Sequence, residues 1–195
     1  MTLETWKTGP FDLPGVRPGT VLAEVDGGCP THHTCLETLN RASREQVQLL
    51  HTAMVSADVA LFTALGHYWT GVARILQAEL EDSESDGLTA AADDFTRALE
   101  QVQRVREHEE QILAVAQPIE YSAYFVRRHQ VISLQTAELA QGLEAMRRDL
   151  ADGYYPAPAS SAVNRVLTQM SAHFEQDARI EGVLTRIEMV GGTAS

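Results

Sequence analysis

Apolar residues recur at steps of three and four from about Thr34 almost to the end of the chain, a pattern that predicts long amphipathic helices. Only DSESDG at 82–87 and DGYYPAP at 152–158 interrupt it, so it divides into three blocks. Each block is far longer than the roughly 11–12 residues of an average helix. An apolar seam of that length needs partner helices to cover it. We therefore expect an all-α fold of three long helices, antiparallel because the connections are short.

The first block runs from about Thr34 to Glu81. Thr34 with Glu37 has the pattern of a capping box, which satisfies free amides at a helix start. One helix over this block would have roughly 45 residues and a length of about 70 Å. Its predicted buried stripe is Val47, Leu50, Met54, Ala57, Leu61, Leu65, Tyr68, Val72 and Ile75.

The second block runs from about Leu88 to Leu150 and contains Pro118. Proline removes one helical hydrogen bond and clashes with the preceding turn, so the helix must bend or end there. We expect a kink in one continuous helix, because the following IEYSAYFV lacks the Gly and Asn of a turn. A reversal of chain direction would instead give a four-helix bundle with helices of roughly 30 residues.

The third block begins near Ser160 or Ser161 and stops at Gly191-Gly192. Residues 1–33 contain four prolines and several glycines, which prevent a continuous helix and predict an extended N-terminal arm. The expected organisation is this arm, a long-helix bundle over 34–190 and a flexible tail at 191–195.

The length of the seam predicts association, because three helices of about 70 Å cover only part of one another. We expect a homo- or hetero-oligomer, a dimer or a larger complex with other protein subunits. The predicted interface residues are Leu61, Leu65, Tyr68, Ile132, Leu139, Leu143, Met146, Met170 and Phe174.

The chain has 27 acidic and 15 basic residues, a net charge of −12. This balance argues against nucleic-acid binding, which depends on Lys and Arg neutralising phosphates. No run of about 18 consecutive apolar residues predicts a membrane span, and no signal peptide is recognised. The expected location is therefore the cytoplasm, with peripheral membrane attachment as a variant.

The most compact chemical motif is CPTHHTC at 29–35. Cys29, His32, His33 and Cys35 are residues of the types that bind zinc, although a four-coordinate site normally draws on two separated pairs. An ordinary loop entering a helix is the alternative, and it is the one we favour. The two cysteines could pair, bind metal or stay free, and in an intracellular protein the free and metal-bound states are favoured over a stable disulfide. We expect no cofactor unless zinc binds there.

Catalytic patterns are missing from the sequence. The Glu-x-x-His motif of di-metal bundles does not occur, nor does a nucleophile elbow, a P-loop or a dinucleotide-binding glycine pattern. We therefore expect no enzyme, with a metal-dependent helical enzyme as the most remote alternative. Trp69-Thr70-Gly71 matches the WxG signature of small secreted helical hairpins, but it lies inside a continuous apolar stripe and not in a turn.

Two stretches resemble a known family. They are IEYSAYFVRRHQVISLQTAELAQGLEAMRRDL at 119–150 and VNRVLTQMSAHFEQDARIEGVLTRI at 163–187. With the arrangement of three long helices, they resemble the BAR domain, and in particular the BAR region of sorting nexins. The resemblance implies a curved dimer that binds membranes or scaffolds a trafficking complex.

The same resemblance implies that Arg127, Arg128, Arg147 and Arg148 are lipid contacts. The residues alone predict instead that these basic pairs are solvent-exposed and form i to i+4 pairs with acids such as Glu144. The lysine-rich face of membrane-bending members is missing, since Lys7 is the only lysine. The expected function is thus a non-catalytic BAR-like scaffold, with a structural subunit of a large complex without lipid binding as the alternative.

Overall fold

The computed structural model describes residues 38–39, 41–81, 84–120, 122–154, 156 and 163–170. Three long helices follow one another: α1 is Arg44–Glu81, α2 is Glu84–Ala116 and α3 is Ala123–Ala151. A further helix, α4, covers residues 163–170. The described residues contain no strand, so the all-α prediction is confirmed. The predicted arm at 1–33 and tail at 191–195 lie outside the described residues.

The long helix α1 begins later than the sequence pattern suggested. The Ser43 amide donates to Gln46 Oε1 at 2.8 Å, and the Gln46 amide donates to Ser43 Oγ at 3.2 Å. This reciprocal pair is a capping box. The chain is non-helical at Ala42 and Ser43, so one continuous helix from Thr34 is wrong. The capping pair proposed at Thr34 and Glu37 lies outside the described residues.

The expected kink at Pro118 is also wrong, because the chain reverses there. The helix α2 ends at Ala116, and the Ile119 amide donates to the Ala116 carbonyl at 2.9 Å, closing a turn without Gly or Asn. Nineteen residues of continuous helix would separate Glu109 and Arg128 by about 28 Å. Their side chains instead form an ion pair. The reversed chain and helices of 33 and 29 residues match the four-helix alternative rather than three helices.

The physical reason for the reversal is burial on both sides of the turn. Ile119, Tyr124 and Phe125 all belong to one apolar cluster. Turning the chain at Pro118 lets residues after the turn pack against residues before it, which a kinked helix could not do. The members of this cluster are Leu39, Ala42, Val47, Leu50, Ala53, Met54, Ile112, Ala116, Ile119, Tyr124 and Phe125, with Val115 packed against them.

That cluster is the core of the first of two compact units, which takes its described residues from 38–55 and 109–131. The second unit takes its described residues from 56–108 and 132–170 and contains parts of all four helices. In it α1 contacts α2 through Arg74 and Asp94, and α3 contacts α4 through Glu138 and Arg165. The Tyr68 hydroxyl of α1 reaches Asn164 of α4 at 3.0 Å.

The sequence signal for the end of α3 is confirmed. Gly153 has a φ of 77°, a left-handed conformation that favours glycine. The Gly153 amide donates to the Leu150 carbonyl at 3.1 Å, and the Tyr154 amide donates to the Asp149 carbonyl at 2.8 Å. These two bonds form a Schellman motif, which satisfies carbonyls at the end of the helix.

Replacing Gly142 with alanine should lower the free energy of unfolding by about 1–2 kcal/mol, because overpacking outweighs the better helix propensity. A Cβ at Gly142 would overlap Cγ2 of Val163, whose branched side chain has little rotamer freedom. The control is Gly66→Ala, where a Cβ meets no atom within 4 Å. It should raise stability by about 0.5–1 kcal/mol. Urea denaturation measures both, and equal effects of the two substitutions would contradict the packing of α4 on α3.

Candidate interaction surface

The helix α1 has apolar residues on two faces. Its inner face carries buried residues such as Leu61, Tyr68 and Ile75. Its outer face carries a second series that is exposed, with Trp69 52% and Leu80 87% exposed. We call this series the outer seam: Val59, Phe62, Gly66, Trp69, Ala73, Leu76 and Leu80.

The spacing along the outer seam alternates strictly between three and four residues. That is the heptad pattern of a coiled-coil seam, in which two positions of every seven face a partner helix. Scattered exposed apolar residues are ordinary on protein surfaces, whereas a contiguous apolar strip marks an interaction site. The outer seam therefore has the form of a helix-binding surface.

Two hydroxyl groups next to the outer seam, those of Thr63 and Thr70, already form hydrogen bonds within α1. No acidic residue, lysine or arginine occurs from Val59 to Ala73. Thr63 Oγ1 donates to the Val59 carbonyl at 2.7 Å, and Thr70 Oγ1 donates to the Gly66 carbonyl at 2.8 Å. A partner covering the seam would thus not leave these hydroxyl groups without hydrogen bonds, a loss that costs free energy.

Arg74 follows the uncharged stretch and is held away from it. Its Nε donates to Asp94 Oδ2 at 2.7 Å, and Arg97 approaches the other oxygen of Asp94 at 3.8 Å. The Asp94 side chain is buried, so two arginines compensate one buried carboxylate. This contact fixes α2 against α1 in the second unit.

Aromatic rings connect the outer seam to the core. The Trp69 ring lies edge-on to the Tyr68 ring, with centroids 5.0 Å apart and an interplanar angle of 64°. Tyr68 in turn lies 6.1 Å from the Phe95 ring of α2. Edge-to-face pairs of this kind contribute beyond the area they bury. Trp69 is therefore an exposed residue supported by a buried aromatic layer.

Burial raises the pKa of the Tyr68 hydroxyl above its usual value of 10.0. The pKa of Tyr68 is therefore higher in the folded chain than in the unfolded chain. Its protonated hydroxyl contributes fully to stability below about pH 10, and this contribution is lost as the pH rises through the pKa of the folded state. Tyr68→Phe should cost about 0.5–1.5 kcal/mol at neutral pH, by removing the bond to Asn164. It should also reduce the loss of stability in alkali. Denaturation at neutral and alkaline pH tests this, with exposed Tyr154→Phe as the control, and an unchanged alkaline slope in Tyr68→Phe would contradict it.

The predicted interface residues mostly pack inside the chain. Leu65 is half-buried, and Phe174 lies outside the described residues. The other seven are buried: Leu61, Tyr68, Ile132, Leu139, Leu143, Met146 and Met170. The four helices of the second unit bury these seven residues within one chain, so they do not form an exposed contact surface for a partner.

The four arginines proposed as lipid contacts have different environments. Arg127 and Arg148 are exposed, and Arg147 is half-buried. Arg147 pairs with Glu144 at 2.8 Å, a spacing of three residues instead of the four that were expected. Arg128 has a side chain that is 0% exposed and forms an ion pair with Glu109, which is 1% exposed. Because a buried guanidinium cannot reach a headgroup, the assignment of Arg128 as a lipid contact is wrong.

The candidate zinc residues Cys29, His32, His33 and Cys35 lie outside the described residues. Within the part of the chain that the structure describes, no group of three or more His, Cys, Asp or Glu side chains is placed to hold a metal ion.

One helix in the described part of the chain is long and apolar enough to cross a membrane. The most apolar 18-residue stretch within Arg44–Leu80 of α1 has a mean hydropathy of 1.5, and 39% of that stretch is buried. Because the inner face of α1 is a core face, a bundle helix meets the same criteria, and the length and composition of α1 alone assign no membrane role.

The chain matches no protein-family model, no curated protein and no solved structure. The resemblance to BAR domains therefore rests on the sequence stretches alone, and the arguments about function rest on the geometry of α1.

Proposed function

We propose that this chain is a non-catalytic helical scaffold that associates with another protein helix through the outer seam of α1. The observation that supports this proposal is an uncharged heptad series, exposed along α1 while the opposite face of the helix is fully used as core. A bundle covers only one face of a helix at its surface, so the second apolar face of α1 stays exposed to solvent unless a partner covers it.

The size of the seam agrees with a protein contact. With side chains of ordinary area, its exposed apolar surface is roughly 500 Å², comparable with the largest and often functional patches on monomeric proteins. The seam extends for about 30 Å along the helix, so a partner helix of similar length would cover it. Exposed aromatic residues such as Trp69 and Phe62 are of the type that contributes most to protein interfaces.

A BAR-like role at membranes has less support. Of the arginines it requires, Arg128 is buried and Arg147 is paired with Glu144. The reversal at Pro118 also replaces the single kinked second helix on which the likeness depended. The role as a structural subunit of a protein assembly requires neither feature, and the outer seam supports it directly.

Photo-crosslinking in the native host tests the proposal. A photoreactive phenylalanine analogue replaces Leu76 on the outer seam, and in a second variant it replaces Leu134, which is 74% exposed on α3. We expect protein adducts from position 76 and none from position 134. Equal labelling at the two positions, or none at position 76, would contradict association through the outer seam.

A further inference from the structure

Contacts within the part of the chain that the structure describes do not explain the glycine at position 66 of the outer seam. Glycine inside a helix costs about 0.5–1 kcal/mol relative to alanine. A Cβ at Gly71 would meet Phe95 at 2.7 Å, one at Gly87 would meet Ala78 at 3.1 Å, and one at Gly142 would overlap Val163. A Cβ at Gly66 would meet nothing within 4 Å. Intrachain packing accounts for the other helical glycines that the structure describes, but not for this one.

Side-chain size alternates along the same seam. In heptad terms, Phe62, Trp69 and Leu76 occupy one seam position, while Gly66 and Ala73 occupy the other between them. Large residues therefore alternate with small ones over the centre of the seam. Such a surface is complementary to a second surface on which the same order runs in the opposite direction.

We infer that the helix covering the outer seam is α1 of a second copy of this chain, docked antiparallel. This inference rests on the proposed function and specifies its partner. In the register that it requires, Trp69 of each copy lies over Gly66 of the other, and Phe62 lies over Ala73. Val59 then faces Leu76. A two-fold axis makes each contact occur twice, so the interface is isologous and closed.

Parallel docking lacks this fit. In a parallel pair the same seam position meets itself, so Trp69 would face Trp69 and Gly66 would face Gly66. The first contact overpacks the interface and the second leaves a void, and both are destabilising. The antiparallel register avoids both.

Salt dependence distinguishes a second copy of this chain from a basic partner. The seam carries no charge from Val59 to Ala73, and the register places Thr63 beside Thr70 of the other copy. Two chains of net charge −12 repel each other, and the acidic Asp58 and Glu79 flank the seam. Salt screens this repulsion over a Debye length of about 8 Å at physiological ionic strength. Added salt should therefore strengthen the dimer, whereas it would weaken a complex with a basic protein.

The area of the outer seam is small for a stable dimer interface. Covering the seam on both copies would bury roughly 1,000 Å², at the lower limit of specific interfaces. We therefore expect a dimer that dissociates in the micromolar range, seen by light scattering or sedimentation across that concentration range.

Thiol crosslinking tests the register. In a background with Cys29→Ser and Cys35→Ser, chains carrying Val59→Cys are mixed with chains carrying Leu76→Cys and treated with a short bismaleimide. We expect the mixed crosslink and almost no crosslink between two copies of either variant. In the antiparallel register two copies of position 59 lie about 25 Å apart, beyond the reach of the reagent. Same-position crosslinks as the main product would overturn the antiparallel arrangement.

Gly66→Leu tests the close contact itself. Because the chain offers space at this position, the variant should fold with equal or higher stability and yet weaken dimerisation at least tenfold. The control is Ala114→Leu, which adds a leucine at an exposed position of α2 and should leave dimerisation unchanged. A Gly66→Leu variant that dimerises like the wild type would overturn the inference. A purified chain that stays monomeric at every salt concentration would overturn it too, while adducts of another protein at position 76 would leave the proposed function standing.

Discussion

Replacing Arg128 with alanine is expected to lower the free energy of unfolding by about 3–5 kcal/mol, because it leaves an uncompensated carboxylate in the core of the first unit. The Arg128 guanidinium and the Glu109 carboxylate pair with each other while almost fully buried. Neither charge can recover its hydration unless the fold opens. Glu109→Ala should have a similar effect, since it leaves the guanidinium buried.

Two controls separate this effect from a general loss of side chains. Arg165 and Glu138 form a pair across helices at 2.7 Å, but both side chains are about half exposed. Arg165→Ala should therefore cost under about 1 kcal/mol. The double variant Arg128→Met with Glu109→Leu should be close to the wild type or more stable, because matched apolar residues replace a pair whose desolvation is costly. Urea denaturation monitored by circular dichroism measures the free energy of unfolding of each of these variants. An Arg128→Ala variant no less stable than Arg165→Ala would contradict the burial of the pair.

The sequence contains a signal for this buried pair, which the assignment of Arg128 as a lipid contact overlooked. Arg128 lies between Phe125 and Ile132 at helical spacing, so it is part of an apolar stripe. Glu109 lies in the same way between Val105 and Ile112. Consecutive residues such as Arg127 and Arg128 point about 100° apart on a helix. One member of a basic pair can thus be exposed while the other is buried.

The positions of Glu109 and Arg128 along the sequence also indicate the chain reversal at Pro118. Glu109 precedes Pro118 by nine residues, and Arg128 follows it by ten. A hairpin at a proline brings together residues that lie at nearly equal distances before and after it. Two opposite charges at such distances, each within an apolar stripe, therefore indicate a hairpin at Pro118. The usual turn residues Gly and Asn could not predict this reversal, because the turn contains neither of them. It is closed by a hydrogen bond from the Ile119 amide to the Ala116 carbonyl. By contrast, the end of α3 was predictable, because Gly153 adopts a conformation that favours glycine.

Helical periodicity identified the inner face of α1 but not its partners. The pattern shows that a face is apolar, but it does not show whether the covering helix belongs to the same chain. For Leu61 and Tyr68 the covering helices do belong to the same chain, so the predicted interface became core. The outer seam was equally visible in the sequence, at Val59, Phe62 and Trp69. One apolar stripe is enough to explain why a helix packs in a bundle, so periodicity did not predict that this second stripe is also an interface.

The two faces of α1 depend on each other through Tyr68, Gly71 and Phe95. Phe95 is fully buried, and its ring packs both beside the Tyr68 ring and against the bare backbone of Gly71. Tyr68 supports Trp69 on the outer seam. The fit of one phenylalanine of α2 against one glycine of α1 therefore underlies the surface proposed to bind a partner.

Phe95→Ala is expected to lower the free energy of unfolding by about 3–5 kcal/mol, because it leaves a cavity where the ring was. Gly71→Leu should also destabilise the fold, since even its Cβ would lie 2.7 Å from Phe95 Cε1. The double variant should lose less stability than the two single variants together, by about 0.5–3 kcal/mol, because the smaller residue at 95 makes room for the larger one at 71. Gly66→Leu, on the open side of the same helix, is the control and should cost nothing. Urea denaturation at protein concentrations too low for dimerisation compares these four variants with the wild type. Strict additivity of Phe95→Ala and Gly71→Leu would mean that the ring does not fill the space left by Gly71, and the position of α1 against α2 would then depend on other contacts such as the Arg74–Asp94 pair.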